Sequence, residues 1–326
     1  MVSLRVEIER FPIAGSFTIS RGSRTEAVVV VAEVSDGSHV GRGECVPYAR
    51  YGETVGGVQA DILAQAPALA AGADRAAINA AMKPGAARNA LDCALWDLEA
   101  KRAGVRVWEI AGLPAPQALT TAYTLSLGDP AAMEAAARAA AHRPLLKVKL
   151  GGEGDPERIA AVRRGAPASA LIVDANEAWS AATLFPNLAA CERAGVVLIE
   201  QPLPAADDAA LDGVSTPILI CADESLHDRA SLAKVAKRYG AINIKLDKAG
   251  GLTEALALAA EAERLGLTLM VGCMLATSLG MAPAVLVAQR ARFVDLDGPL
   301  LLARDREPGL SYEASLLRPF AAELWG

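Results

Sequence analysis

Residues 145-LLKVKL-150 place three aliphatic side chains, Leu146, Val148 and Leu150, in alternation with two ammonium groups, Lys147 and Lys149. Side chains alternate along a strand, so the lysines share one face and the aliphatics the other. Two architectures satisfy this pattern. One is an antiparallel edge strand with a solvated face, which the usual exposure of lysine favours. The other is a strand covered on both faces, whose lysines point into a pocket. The surrounding chain selects the second.

From residue 121 a unit repeats. Strand-like runs begin at TAYTLSL (121), LLKVKL (145), ALIVDAN (170), VVLIEQP (196), PILICADES (217), AINIKLD (241), TLMVGCML (268) and FVDLDG (293). Most of the intervening segments are Ala-rich and helix-favouring, such as PAAMEAAARAAAH and LTEALALAAEAERLG. Strand and helix alternating eight times is the pattern of an α/β protein of the TIM-barrel type. No equivalent helix follows the eighth strand, so a modified (β/α)7β barrel is expected over 116–298. Residues 1–115 read differently: three short antiparallel strands (SLRVEIERFPI, TEAVVVVAEVSD, HVGRGECVP), then helices over VGGVQADILAQAPALAAG and ARNALDCALWDLEAKRAG. This predicts an α+β capping domain, with the return segment 299–326 docked on it. In such a barrel the aliphatic face meets the helices, and the lysines point inward toward the mouth.

The composition bounds the function. A chain of 326 residues exceeds one ordinary core, and a 52% hydrophobic share excludes disorder. A net charge of −6 argues against a nucleic-acid partner. No apolar run is long enough to span a membrane. MVSLRVEIERFPI has neither the basic start nor the apolar block of a secretory signal. The five cysteines are widely spaced without a CxxC pair, which argues against a structural zinc or a disulfide framework. A soluble cytoplasmic protein is expected. The sequence does not fix its oligomeric state and leaves a homo-oligomer open.

Charged residues sit at the ends of successive apolar runs: Asp174 on the third strand, Glu200 on the fourth, Asp223 on the fifth, Lys245 on the sixth, and Asp295 and Asp297 on the eighth. Asp174, Glu200 and Asp223 come from adjacent strands, and three converging carboxylates repel one another unless a cation lies between them. An all-oxygen set suits Mg²⁺, one ion per chain. Lys149 and Lys245 lie across the barrel from each other. A divalent cation and a second ammonium both disfavour protonation, so either lysine could be neutral part of the time and act as a base. Two bases on opposite faces of one carbon can racemise or epimerise it. Lys147 would keep its charge beside the acids or beside a bound carboxylate.

Lys147-Val148-Lys149, Asp174-Ala175-Asn176, Glu200-Gln201-Pro202, Asp223-Glu224-Ser225 and Asn243-Ile244-Lys245 followed by Gly250-Gly251 resemble the enolase superfamily, and within it the muconate-lactonizing subgroup. The resemblance runs over nearly the whole chain. It implies a capped, modified barrel, a Mg²⁺ ion and proton transfer through an ene-diolate. Asp295 and Asp297 alternate with Val294 and Leu296 and so point inward; this anionic end suits an ammonium and resembles the dipeptide epimerases, with a second metal or a solvated rim as alternatives. ISRGSRTEA (19–27) and GECVPYARYGET (43–54) are expected to be lid loops. RGSR resembles the L-Ala-D/L-Glu epimerases, which implies Arg24 on a glutamate side chain, although Arg21 and Arg50 could share that task. The same resemblance places Thr124, Lys147 and Cys273 against a small dipeptide substrate, and implies a role in recovering cell-wall peptides.

Overall fold

The computed structural model describes residues 2–326. Its first strands, Ser3–Ile19 and Gly22–Ser35, form one long antiparallel hairpin in register from Ser3↔Ser35 to Ile19↔Gly22. The expected lid loop at 19–27 is therefore the tip of this hairpin. A register shift between Pro12 and Phe17 absorbs the irregular stretch around Gly15, and pairing then resumes. A third strand, Val40–Cys45, completes the sheet.

Helix Ala86–Ala103 lies directly on this sheet and is buried along most of its length. A Cβ at Gly41 or Gly43 would come within 2.1 Å of a helix carbonyl, so glycine sets the close approach. Leu91, Ala94 and Leu98 fill the seam; Leu98→Ala would cost about 2–5 kcal/mol. The helical run expected over 55–72 is two helices, Val55–Leu63 and Ala66–Ala70. Pro67 lacks the N–H that a continuous helix needs and suits a first turn instead.

All eight expected barrel strands are present: Tyr123–Leu125, Leu145–Lys149, Ala170–Asp174, Val196–Glu200, Leu219–Ala222, Ala241–Ile244, Thr268–Gly272 and Phe293–Asp295. They are parallel and ordered as in the sequence. The first and eighth are joined outside the ladder, where the Ala122 N–H donates to the Val294 carbonyl at 2.7 Å. The alternation works as the sequence implies. Leu146, Val148 and Leu150 join the core beneath the helices, while Ile172, Leu198, Cys221, Ala241, Met270 and Phe293 fill the barrel interior. The connection after the fourth strand carries only a 3₁₀ turn, Asp208–Leu211; the other six carry α-helices.

After the eighth strand a four-residue helix, Gly298–Leu301, leads back to the capping sheet, where Leu302 bridges Ile13. The chain then pairs Leu316–Leu317 with Leu119–Thr120. Trp325 ends buried, its indole N–H on the Cys93 carbonyl of the capping helix at 3.1 Å. No helix among the described residues is long and apolar enough to cross a membrane.

Candidate active site

Parallel register sets the level of the polar side chains. Lys149 pairs with Asp174 and Asp174 with Glu200, so these three stand at one height on adjacent strands. Asp223 follows the fifth strand directly and Lys245 the sixth. The chain bends sharply past two of the acids. Asn176 and Gln201 hold positive φ of 45° and 35°, a region costing roughly 1 kcal/mol or more for a side chain other than glycine. The buried Gln201 amide holds its bend in place. Its Oε1 accepts the N–H groups of Asp223 and Ser225 at 2.9 and 3.0 Å, and its Nε2 donates to the Leu203 carbonyl at 2.9 Å.

Asp174, Glu200 and Asp223 are all buried, and each meets ammonium groups. Asp174 Oδ2 lies 2.6 Å from Lys149 Nζ and 3.2 Å from Lys147 Nζ. Glu200 Oε2 lies 2.6 Å from Lys147 Nζ, yet receives no well-directed hydrogen bond. Asp223 Oδ2 lies 2.7 Å from Lys245 and Oδ1 lies 2.5 Å from Lys248. Burial alone would raise all three acids. For Asp174 and Asp223 the lysine charges prevail and hold the carboxyl below its usual range. For Glu200, burial and the Asp174 charge prevail and push it up.

No group of three His, Cys, Asp or Glu side chains among the described residues is already arranged to hold a metal ion. The donor chemistry nevertheless fits one. Three buried carboxylates come from adjacent strand ends, Glu200 Oε2 lacks a directed partner, and the inward oxygens face positive charge that ammonium groups now supply.

Burial opposes charge on Lys147 and Lys245, but the surrounding carboxylates outweigh it and raise both well above the ordinary lysine value. This direction is opposite to the neutral fraction expected for Lys245 from the sequence. That expectation counted a cation among the acids, whereas the acids alone act in the other sense.

A cavity of about 440 Å³ opens above this cluster. Lys149, Asp223 and Lys245 form its floor, Cys273 is on its wall, and Arg21 and Arg24 lie on the hairpin tip. The three arginines near the mouth differ. Arg21 donates to Glu224 at 2.8 Å and to the Asn176 carbonyl at 3.0 Å. Arg50 makes a two-pronged pair with Glu177, at 2.7 Å for each contact. Arg24 is exposed and has no ion pair among the described residues; its guanidinium lies 5.9 Å from the centre of the Tyr48 ring.

Besides the acids Asp174 and Glu200 beneath it, four sequence-predicted site residues do not line this cavity: Thr124, Lys147, Asp295 and Asp297. These four form a buried group beside it. Lys147 Nζ holds Asp295 Oδ2 at 2.7 Å, leaving Asp295 Oδ1 without a partner. The Thr124 N–H donates to Asp297 Oδ2 at 2.6 Å. Burial and the Asp295 charge push Asp297 up to about 7. The open anionic end expected from the sequence is thus partly occupied by Lys147, a contact between the second and eighth strands that only barrel closure reveals. Sequence reasoning also assigned no role to Lys248, or to Asn243 beyond its place in the Asn243-Ile244-Lys245 motif; both are buried against the acids.

Residues 1–112 match the mandelate racemase/muconate lactonizing enzyme N-terminal domain, and residues 131–300 match the enolase C-terminal domain-like family. An L-Ala-D/L-Glu epimerase of Escherichia coli is 46% identical over 314 residues, covering 96% of this chain and 98% of its own. An N-acetyl-D-glutamate racemase of a Pseudoalteromonas species is 43% identical, covering 91% and 95%. Among solved structures, an enolase family member from Agrobacterium tumefaciens, described as homologous to dipeptide epimerases and bound to sodium and L-Ala-L-Glu, superposes with a TM-score of 0.98 at 58% identity, covering 100% of both chains. With both family domains matched in order and the relatives aligned nearly end to end, this chain belongs to the enolase superfamily, in its mandelate racemase/muconate lactonizing branch.

Proposed function

We propose that this chain is a Mg²⁺-dependent epimerase of L-Ala-D/L-Glu dipeptides that moves the glutamate α-proton between Lys149 and Lys245. One observation carries the reading: two lysines from opposite sides of one barrel line the same cavity, above three buried carboxylates. Asp174, Glu200 and Asp223 would hold the ion. When bound, it supplies positive charge that favours loss of a proton next to a carboxylate. The protein does the rest. One lysine takes the α-proton from one face, and the other returns a proton from the opposite face. Each acts as base toward one epimer and as acid toward the other.

Specificity follows from the rim. Arg24, the mouth arginine without an ion pair among the described residues, suits the γ-carboxylate of glutamate. Asp297 and the free oxygen of Asp295 suit the N-terminal ammonium. Cys273 is on the cavity wall, and Thr124 and Lys147, buried beside it, would back the bound dipeptide. Such an activity accords with recovery of cell-wall peptides in the cytoplasm.

Proton NMR of L-Ala-L-Glu with the protein and Mg²⁺ in D₂O tests this directly. Loss of the glutamate α-proton signal with appearance of L-Ala-D-Glu supports it; an unchanged spectrum contradicts it. A second reading, racemisation of an N-acylated glutamate, draws on the Lys147–Asp295 pair, which neutralises part of the charge an ammonium would need. The ratio of kcat/KM for L-Ala-L-Glu and N-acetyl-L-Glu separates the two.

A further inference from the structure

The three carboxylates share a pattern that the roles above leave unused. Each has one oxygen held by a group other than the two base lysines. The Asn176 N–H donates to Asp174 Oδ1 at 2.9 Å. Asn243 Nδ2 donates to Glu200 Oε1 at 2.7 Å. Lys248 Nζ donates to Asp223 Oδ1 at 2.5 Å. The second oxygen of each acid faces Lys147, Lys149 or Lys245.

We infer that Asn243 and Lys248 are positioning residues for the cation site: each pins one oxygen of its carboxylate and so turns the other, Glu200 Oε2 and Asp223 Oδ2, toward the ion. The inference rests on the reading of these acids as Mg²⁺ ligands. Neither residue lines the substrate cavity, so neither is placed to touch the reacting carbon. Both belong to the segment that carries Lys245, the sixth strand and the short helix Leu246–Ala249 after it.

Lys248 is saturated where it stands. Besides Asp223 Oδ1 it donates to the Asp223 carbonyl at 2.5 Å and the Asn243 carbonyl at 3.1 Å, which uses its three protons. It therefore ties the end of the fifth strand to the sixth, and its partners remain in place when the inward oxygens exchange an ammonium for a metal. Asn243 is fully buried and faces Gly272, where a Cβ would approach its amide within 2.7 Å; glycine leaves the room this side chain needs. A carboxylate with one oxygen already fixed has less orientational freedom to lose on binding an ion. Partners of this outer kind are worth about 10- to 100-fold in metal affinity.

Calorimetric titration of Mg²⁺ into the metal-stripped protein, compared with Asn243→Ala and Lys248→Met, tests the inference. Each variant is expected to bind Mg²⁺ about 10- to 100-fold more weakly. At saturating Mg²⁺, the KM for L-Ala-L-Glu should stay near that of the unmodified protein. A merely structural role would lower the urea midpoint of the metal-free variants without moving Mg²⁺ affinity. Folded variants that bind Mg²⁺ within about twofold of the unmodified chain would overturn the inference and leave the metal reading standing. If Lys248→Met does not fold, Asn243→Ala decides. An unmodified chain that binds no Mg²⁺ would overturn both.

Discussion

Two buried polar networks hold this molecule together, and they differ in one respect. At the joint between capping domain and barrel, Glu44 accepts from the Thr277 N–H at 2.8 Å, the Thr277 hydroxyl at 2.5 Å and Arg306 at 2.7 Å. Arg88 on the capping helix donates to the Ala249 and Gly250 carbonyls, and Asp92 takes the Thr253 N–H and hydroxyl. None of these side chains leaves a buried atom without a partner. At the barrel mouth the opposite holds. Of the eight unpartnered buried side-chain atoms among the described residues, five are here, on Asn176, Glu200, Glu224, Asn243 and Asp295. Buried polar groups are normally satisfied, so a concentration of exceptions marks the place where a ligand completes the network. Apart from Glu9 Oε2, which meets Arg306 without a directed hydrogen bond, the joint is closed on itself and serves the fold; the mouth is incomplete and serves chemistry.

Substitutions should separate the two networks. The largest effect is expected at the mouth. Glu200→Gln should lower kcat by about a thousandfold or more, because it removes a ligand of the proposed ion and, with it, several kcal/mol of charge stabilisation. The metal-free variant should nevertheless be more stable than the unmodified chain in urea at pH 7. The ionised Glu200 is disfavoured in the fold, and Gln removes that charge. Next comes the joint. Arg306→Met strands the buried Glu44 carboxylate and should cost about 3–5 kcal/mol in urea unfolding, with little change in kcat per folded molecule.

Smaller effects refine the mouth itself. Arg24→Met should raise KM for L-Ala-L-Glu about 10- to 100-fold, the loss of a charge-assisted contact, and should change much less for a dipeptide without a side-chain carboxylate. Equal losses on both substrates would remove Arg24 from recognition. The smallest is a pH effect. Asp297 sits at about 7, so it is neutral below that pH and can hold an ammonium only above it. Below pH 7, kcat/KM should fall by about tenfold per unit, and Asp297→Asn should flatten this limb. The same shift has a sign for stability. A carboxyl raised from its ordinary 3.8 favours the fold when protonated, and that contribution is lost as pH climbs toward 7.

Much of the site was legible because strands alternate with period two. Once the 145–150 stretch is placed in a barrel, Lys147, Lys149, Asp174, Glu200, Lys245 and Asp295 must face inward. Alternation carries one residue past the sixth strand, to Lys245, and no further. Lys248 follows the sixth strand inside a four-residue helix, where the phase is lost, so nothing in LDKAGG shows that its ammonium turns back to Asp223. Nor does alternation report contacts across the barrel, such as Lys147 to Asp295, which depend on closure between the first and last strands. The stretch 19–27 has the composition of a loop, yet pairs as a hairpin tip. Its Ser20 hydroxyl and Arg21 reach the Asn176 carbonyl, and that tertiary contact outweighs local propensity.

The central claim is that Lys149 and Lys245 act on opposite faces of one carbon. The most direct test follows solvent deuterium exchange at the glutamate α-carbon of L-Ala-L-Glu and of L-Ala-D-Glu, with Mg²⁺, in Lys149→Ala and Lys245→Ala. Both variants should lose epimerisation, while each retains exchange with one epimer, a different one in each variant. Exchange of the same epimer by both variants, or epimerisation that survives either substitution, would contradict the two-base account.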